Sequence, residues 1–375
     1  MQFNKKKIFV IAGEISGDNI AYNLISDFIK IKKYDIKGVG GQKLKKLGMR
    51  SIFQMERISL MGILEIIPKI PLLLFLIRKT IIEILKYNPD LLITIDAPGF
   101  NFRIAKKIKK IEPNIKILHV VAPTVWAWKA YRAKKISNII DHLFTLYSFE
   151  KKYFTTHNLK TTFIGHPLFT DFKKTSNNQN SKSEDRIISI YPGSRKNEID
   201  MHLEKILIYL GRLENKKNIK FQIIAVDLYY YYIKKLVSRL SINLKIIILK
   251  SSKYKNYSFK NSFMAVAVSG TITLELAMHL IPVICVYKLN NISYFLLKKM
   301  VKTDYISLVN IIMKTKIIPE LIQYDFNSNS LLNEISALLK NKKKYNFQKK
   351  MFYSFRNKII FKKKIASNKI SKLIN

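Results

Sequence analysis

Lys7-Ile8-Phe9-Val10-Ile11-Ala12-Gly13-Glu14-Ile15-Ser16-Gly17-Asp18 opens the chain with an apolar run that ends in a glycine-punctuated turn. Ile20, Leu24 and Phe28 follow at helical spacing, with Ala21 and Ile25 beside them. Strand, tight turn and helix in that order form the first half of a parallel βαβ unit. The pattern recurs at Asp90–Ile95, closed by Asp96-Ala97-Pro98-Gly99, and at Ile117–Val121, closed by Ala122-Pro123. A polar stretch, Asp171–Asp185, then lacks periodicity and reads as a linker. Beyond it a second series has strand candidates Ile187–Tyr191, Phe221–Val226, Leu244–Leu249, Phe263–Val268 and Pro282–Tyr287.

The fold class expected is therefore α/β, with two Rossmann-like domains facing a cleft. Their bounds are 1–170 and 186–345, joined by the linker 171–185. The tail 346–375 is Lys-rich but keeps Phe347, Met351, Phe352, Ile359 and Ile360, and reads as amphipathic helix. In open α/β sheets ligands sit beyond the carboxyl ends of the strands.

Composition narrows the partners. Of 375 residues, 48% are hydrophobic and 12% aromatic, which excludes a disordered chain. Lys plus Arg is 67 against 25 for Asp plus Glu, a net charge of +42 that favours nucleic acid, acidic lipid or phosphorylated substrates. The lysines are spread along the chain among many Ile and Asn residues, the usage of an AT-rich genome, so part of the charge is composition. Cys285 is the one cysteine, and an internal disulfide is excluded. With no paired-histidine spacing, no zinc site is expected. The best span candidate, Ile58–Ile77, is broken by Glu65, Pro68, Lys69 and Pro71. A cytoplasmic protein, soluble or peripheral to a membrane, is expected.

Each motif has two readings. The Gly13–Asp18 turn, with Glu14 and Ser16, can receive an anion at a helix start, or Ser16 or Asp18 can simply cap that helix. Asp96 ends a strand as a general base or as an Asx-turn residue. Arg195, in Tyr191-Pro192-Gly193-Ser194-Arg195, is a phosphate fork or a solvated surface residue. Ser269-Gly270-Thr271-Ile272-Thr273-Leu274-Glu275 is the sharpest: a strand ends in Ser269, Gly270 and Thr271 and a helix begins at once, a diphosphate cradle with Glu275 placed for ribose. A capping box closed by Glu275 is the alternative. His119, His166, Trp126 and Trp128 fit core or rim. The hydrophobic stretch Ile58–Leu76, with Met61, Leu72, Leu73 and Phe75, is a buried helix pair or an acyl-chain and membrane contact flanked by Lys69, Arg78 and Lys79. No Asp-x-Asp occurs, so no metal bridge to a diphosphate is indicated.

Taken in order, these segments resemble the lipid-A-disaccharide synthase family, inverting glycosyltransferases with the two-Rossmann-domain GT-B fold. The resemblance rests on Ala12–Asp18, Met61–Glu65, Pro89-Asp90, Ile95–Asn101, Ala122–Trp128, Ile164–Pro167, Pro192–Arg195, Ser269–Thr271 with Leu274-Glu275, Val301–Leu308 with Asn310, and Pro319–Gln323. It covers about residues 7–325. Gly99 departs from the family, which usually has Asp there.

The resemblance implies a reaction between UDP-2,3-diacylglucosamine and 2,3-diacylglucosamine 1-phosphate that releases UDP, by one in-line displacement giving a β-linkage. Asp96 would take the proton from the acceptor 6-hydroxyl. Arg195, Ser269, Gly270 and Thr271 would hold the diphosphate and Glu275 the ribose, with Asn310 and Gln323 beside the nucleotide and Glu14 and Ser16 also on substrate. Met61, Leu72, Leu73 and Phe75 would meet acyl chains or the inner-membrane surface. The tail would cross back onto the first domain. No cofactor, metal or nucleic acid is implied, and a homodimer is allowed. The competing readings are another UDP-N-acetylglucosamine enzyme of this fold, a transferase or 2-epimerase, against which the motif order argues, and a basic nucleic-acid-binding module, which lacks a basic stripe with interleaved aromatics.

Overall fold

The computed structural model describes residues 5–31, 34–58, 69–126, 131–167, 169, 186–214, 218–291, 294–295, 298 and 303–374. Met61, Trp128 and the linker 171–185 lie outside them. The chain divides into two compact units, Met1–Lys173 with Lys358–Asn375, and Lys174–Asn357.

In the first unit the strands are β1 (Lys7–Ala12), β2 (Asp35–Val39), β3 (Arg50–Ser51), β4 (Leu91–Ile95), β5 (Lys116–Val120), β6 (His142–Thr145) and β7 (Thr161–Phe163). Its helices are α1 (Ile15–Ile31), α2 (Gln42–Lys45), α3 (Ile70–Tyr87), α4 (Pro98–Ile111), α5 (Arg132–Ser137) and α6 (Lys152–Thr155). The sheet runs β3-β2-β1-β4-β5-β6-β7, and each neighbouring pair is parallel. Ile8–Ala12 of β1 and all of β4 are buried, and all but Thr94 of them are apolar, as strands covered on both faces require.

The second unit holds β8 (Arg186–Tyr191), β9 (Ile219–Ala225), β10 (Ile246–Lys250), β11 (Met264–Val268), β12 (Val283–Tyr287) and β13 (Glu320–Ile322). Its helices are α7 (Lys196–Gly211), α8 (Tyr230–Ser238), α9 (Ser251–Asn261), α10 (Thr271–Met278), α11 (Leu308–Met313) and α12 (Ser328–Lys340). The order β10-β9-β8-β11-β12-β13 is all parallel and doubly wound. Ile199, Leu203, Ile206, Leu207 and Leu210 of α7 pack on Ile188, Ile190, Phe221 and Val266 of the sheet.

α13 (Lys342–Ile359) carries the chain back, and α14 (Lys363–Ile374) packs on α1 within the first unit. The second unit runs to Asn357, and the first takes up the chain again at Lys358. The returning backbone is bolted on by three hydrogen bonds: His166 N–H to Ile359 O (2.9 Å), Lys362 N–H to Ile164 O (2.6 Å) and Phe361 N–H to Phe169 O (3.4 Å). Gly165 is what lets it approach. Its φ is +76°, and a Cβ there would lie 2.0 Å from the Ile360 carbonyl oxygen.

Gly165→Ala should therefore lose at least about 1–2 kcal/mol from backbone conformation alone, and more from the contact. Differential scanning calorimetry should show a lower Tm for Gly165→Ala. Gly99→Ala is the control, because a Cβ at Gly99 meets nothing within 4 Å and its Tm should hold or rise. Equal Tm values for the two variants would refute the role given to Gly165.

Candidate functional site

A doubly wound sheet has one place where consecutive connections leave in opposite directions, and there the loops part to leave a crevice. In the first unit that place lies between β1 and β4, and in the second between β8 and β11. The Gly13–Asp18 and Asp96–Gly99 turns sit at the first; Pro192–Arg195 and Ser269–Thr271 sit at the second.

At the first switch point two turns are pressed together: a Cβ on Gly13 would lie 2.7 Å from Ala97 Cβ. Asp96 and Ala97 both adopt left-handed backbone, with φ of 49° and 42°. Such conformations cost of order 1–2 kcal/mol per residue, and they persist where the surroundings hold them. Here Asn101 does so. Fully buried in the first turns of α4, its Nδ2 donates to Ile95 O (3.1 Å) and Asp96 O (2.7 Å). Asp96 N–H donates to Val120 O of β5 (3.0 Å). The Asp96 side chain is half-buried, and burial raises its pKa above the ordinary carboxylate value, against a smaller opposing effect of the Ala97 N–H. A carboxylate so tuned is a better base than a solvated one. Gly99 stands in the first turn of α4, exposed, so the family's usual Asp would have room there.

In the Gly13–Asp18 turn, Asp18 does not cap the helix that follows it. Asp18 is buried and caps a helix, but a distant one: its carboxylate accepts from Gly41 N (2.9 Å), Lys43 N (2.9 Å) and Leu44 N (3.2 Å) at the start of α2. Ser16 is exposed in the first turn of α1, and Glu14 is half-buried. His119 is core: its Nδ1 lies 2.8 Å from Thr94 Oγ1, and burial pushes its pKa down to about 3. A further buried carboxyl, which belongs to none of the sequence motifs, lies in the turn after β6. Glu150 is buried, accepts from Tyr147 N–H (3.0 Å), and burial pushes it up to about 8. Trp126 packs edge-on to Phe149, 5.3 Å between centroids, and His166 packs on Phe169 at 4.9 Å.

At the second switch point the two helix starts differ. α7 is capped from within. Glu198 Oε2 accepts from Ser194 N (2.8 Å) and Arg195 N (3.3 Å), and Oε1 takes Arg195 Nη1 (3.1 Å). Gly193 makes this possible: its φ is +113°, and a Cβ would lie 2.5 Å from Glu198 Cβ. The Arg195 side chain remains 55% exposed. α10 has no side-chain cap. The alternative reading, a capping box, does not form, because Glu275 turns to Lys255 of α9, with Nζ 2.8 Å from Oε1 and 2.7 Å from Oε2. Thr273, not Thr271, closes the turn, through Oγ1 to Gly270 O (2.8 Å). Ser269 is half-buried while Gly270 and Thr271 are exposed, and no atom lies within 4 Å of a Cβ placed on Gly270. The uncapped helix start and the exposed arginine thus follow two neighbouring strands, β8 and β11, and both are groups of the kind that attract anions.

Asn310 and Gln323 do not present free polar groups. Asn310 is fully buried; it donates to Ile318 O and Glu320 Oε1 (both 2.8 Å) and accepts from Ile317 N and Ile318 N (both 2.9 Å). Gln323, with φ of 54°, clamps Leu289 through Nε2 to O (3.0 Å) and Oε1 from N (3.1 Å), and reaches Asn291 Oδ1 (3.0 Å). Both shape the loops beside the second switch point. Among the described residues no three His, Cys, Asp or Glu cluster in a metal-binding arrangement.

On α3 the apolar residues split between two faces. Leu76, Ile77 and Ile84 are buried against the first-unit core. Ile70, Leu72, Leu74, Phe75 and Ile82 are exposed, Phe75 at 60%. Leu73 is a correction to the expected acyl contacts: it packs, partly buried, against that core. Arg78 and Lys79 are exposed, and no described helix is long and apolar enough to cross a membrane.

The family model described as "Lipid-A-disaccharide synthetase" matches residues 8–374. A lipid-A-disaccharide synthase of Rickettsia typhi is 37% identical over 348 residues, covering 90% of each chain. Among solved structures, a Staphylococcus aureus MnaA–UDP co-structure superposes with a TM-score of 0.66 at 12% identity, covering 98% of this chain and 95% of that one. The MurG structure of Acinetobacter baumannii gives a TM-score of 0.62 at 12% identity, covering 99% of both. The two structures are similar in fold, of GT-B type.

Asp96→Asn should cut turnover by about 10²–10⁴-fold without unfolding the chain. The sign of its stability effect follows from the raised pKa. The folded state binds the Asp96 proton more tightly than the unfolded chain, so stability falls as pH rises through the unfolded and then the folded pKa. At neutral pH the folded carboxylate carries the whole penalty. The asparagine variant should therefore melt no lower than the parent at neutral pH. Near-normal turnover, or a clear drop in Tm, would overturn this account of Asp96.

Proposed function

The chain belongs to the lipid-A-disaccharide synthetase family, and on that premise we propose how its two switch points carry out the reaction. The enzyme is a glycosyltransferase that condenses UDP-2,3-diacylglucosamine with 2,3-diacylglucosamine 1-phosphate and releases UDP. Asp96 accepts the proton of the acceptor 6-hydroxyl as that oxygen attacks the anomeric carbon. The bond to the diphosphate breaks in line, through an oxocarbenium-like state, and the configuration inverts. Negative charge grows on the leaving UDP, where the α10 start and Arg195 await it. Interactions that strengthen as charge develops lower the barrier rather than merely tightening binding. Glu275 is the ribose acceptor, and its ion pair with Lys255 holds it turned from the helix start. The carrying observation is the contrast at the second switch point: a carboxylate takes the amides at the α7 start, and no side chain caps the α10 start.

UDP release from the diacylated donor should require the monosaccharide 1-phosphate acceptor. Arg195→Ala should lower kcat and weaken UDP binding together. Wild-type kinetics in that variant would leave Arg195 a surface residue paired to Glu198, and acceptor-independent UDP release would point to a different reaction.

Both substrates carry acyl chains, and the exposed face of α3 is the proposed contact with the inner-membrane surface, with Met61 in the preceding segment. Leu72 and Phe75 supply apolar area, and each such side chain is worth about 1.5–3 kcal/mol when fully buried. Lys69, Arg78 and Lys79 add about 1 kcal/mol each near anionic headgroups, a contribution that salt screens. Sedimentation with anionic vesicles should thus weaken but persist at high salt. Leu72→Ser with Phe75→Ser should abolish the salt-resistant part and spare UDP affinity. Retention of that part would place the contact elsewhere. A homodimer, which the family allows, would appear as a doubled mass in sedimentation without vesicles.

A further inference from the structure

The second unit buries a carboxylate that the reaction does not use. Glu320 opens β13, next to Cys285 of β12, and is 8% exposed. Its two oxygens take three donors from one segment. Oε2 accepts from Ile306 N (3.0 Å); Oε1 accepts from Ser307 N (2.9 Å) and from Asn310 Nδ2 (2.8 Å). The amides belong to the turn that enters α11, where Ser307 is the N-cap residue and its side chain makes no cap. Glu320 thus occupies the place an external anion would otherwise take.

The pinned segment reaches the diphosphate turn. Ser269 Oγ donates to Ile306 O at 3.4 Å, and Ser269 N–H donates to Val286 O at 3.2 Å. The Ser307 amide held by Glu320 and the Ile306 carbonyl that receives Ser269 are therefore the two sides of one planar peptide unit. The hydroxyl of Ser269 is oriented by a carbonyl whose own position is set by a buried carboxylate two strands away in the sheet order.

We propose that Glu320 is a positioning residue for nucleotide binding: it withdraws the Ile306 and Ser307 amides from any ligand and, through the Ile306 carbonyl, fixes Ser269 beside the α10 start. This rests on the reading of Ser269–Thr271 as the diphosphate turn. An amide in place of the carboxylate would turn a donor toward donors, and the segment would lose its anchor.

The test is a double-mutant cycle read by calorimetric UDP affinity. Glu320→Gln should weaken UDP binding about tenfold, with KM for the donor rising at temperatures well below Tm. In a Ser269→Ala background the same change should have less than about a threefold effect, because the two residues act as one unit. Glu320→Gln binding UDP like wild type, or effects that multiply independently, would overturn the proposal. A purely structural Glu320 would lower Tm and leave KM alone.

Hydrogen exchange on the wild-type chain gives a second measurement that needs no variant. The Ile306 and Ser307 amides should be protected before UDP is added and unchanged after. Rapid exchange that slows only with UDP would make those amides the ligand site and refute the assignment. Failure of wild type to bind UDP would instead refute the reading of the Ser269–Thr271 turn, and the exchange result would still decide what Glu320 holds.

Discussion

Everything chemical in this chain hangs on the reversal of strand order in an all-parallel sheet. Right-handed crossovers force successive helices to opposite faces once the chain moves outward from the first strand in the other direction. The loops after the two central strands then diverge, and the backbone groups at their ends have no neighbouring loop to cover them. The chain makes this reversal twice, between β1 and β4 and between β8 and β11. The first holds a strained turn with a half-buried acid; the second holds a glycine turn and an arginine. Two copies of one topology thus carry the two halves that the proposed reaction needs, a base and a leaving-group site.

The internal carboxylates make the second half selective. In the second unit Glu198, Asp227 and Glu320 each take backbone amides at a helix start, at α7, α9 and α11. Each such pairing supplies the anion that a helix dipole attracts and removes that start from competition for a diphosphate. Lys255 does the complementary work at α10 by holding Glu275 to one side. In a chain of net charge +42, general electrostatic attraction cannot tell one surface from another. Local satisfaction of amides can, because it acts within a few ångströms and is not screened.

Function and stability pull apart in two places. The Asp96–Ala97 turn is left-handed at two residues and half-buries a carboxylate, and Asn101 and the Val120 carbonyl hold it against that cost. α3 leaves Phe75 and its apolar neighbours in water, where exposed apolar area is a liability unless something covers it. A lipid-handling enzyme has a use for each.

Much of the architecture was legible from periodicity alone. β1 matches its apolar run residue for residue, and the central strands of both sheets lie within a residue or two of theirs, because a strand buried on both faces must be apolar throughout. The short strands β3, β7 and β13, two or three residues each, carry no period long enough to see. Motif order named the family and the turns. It could not say which polar atoms those turns leave open. Asp18 stood next to its own helix in sequence but caps α2, more than twenty residues away; Glu275 fitted a capping box but meets Lys255; Asn310 and Gln323 sat in nucleotide-facing motifs but spend their hydrogen bonds on their own loops. Leu72 and Leu73 are adjacent and equally apolar, yet one faces water and the other the core. Sequence determines which residue types recur and at what spacing, and therefore the strands, the helices and the turns between them. Only tertiary structure decides the partner of a polar atom, because a hydrogen bond is settled within about 3 Å, by segments that the chain brings together from far apart.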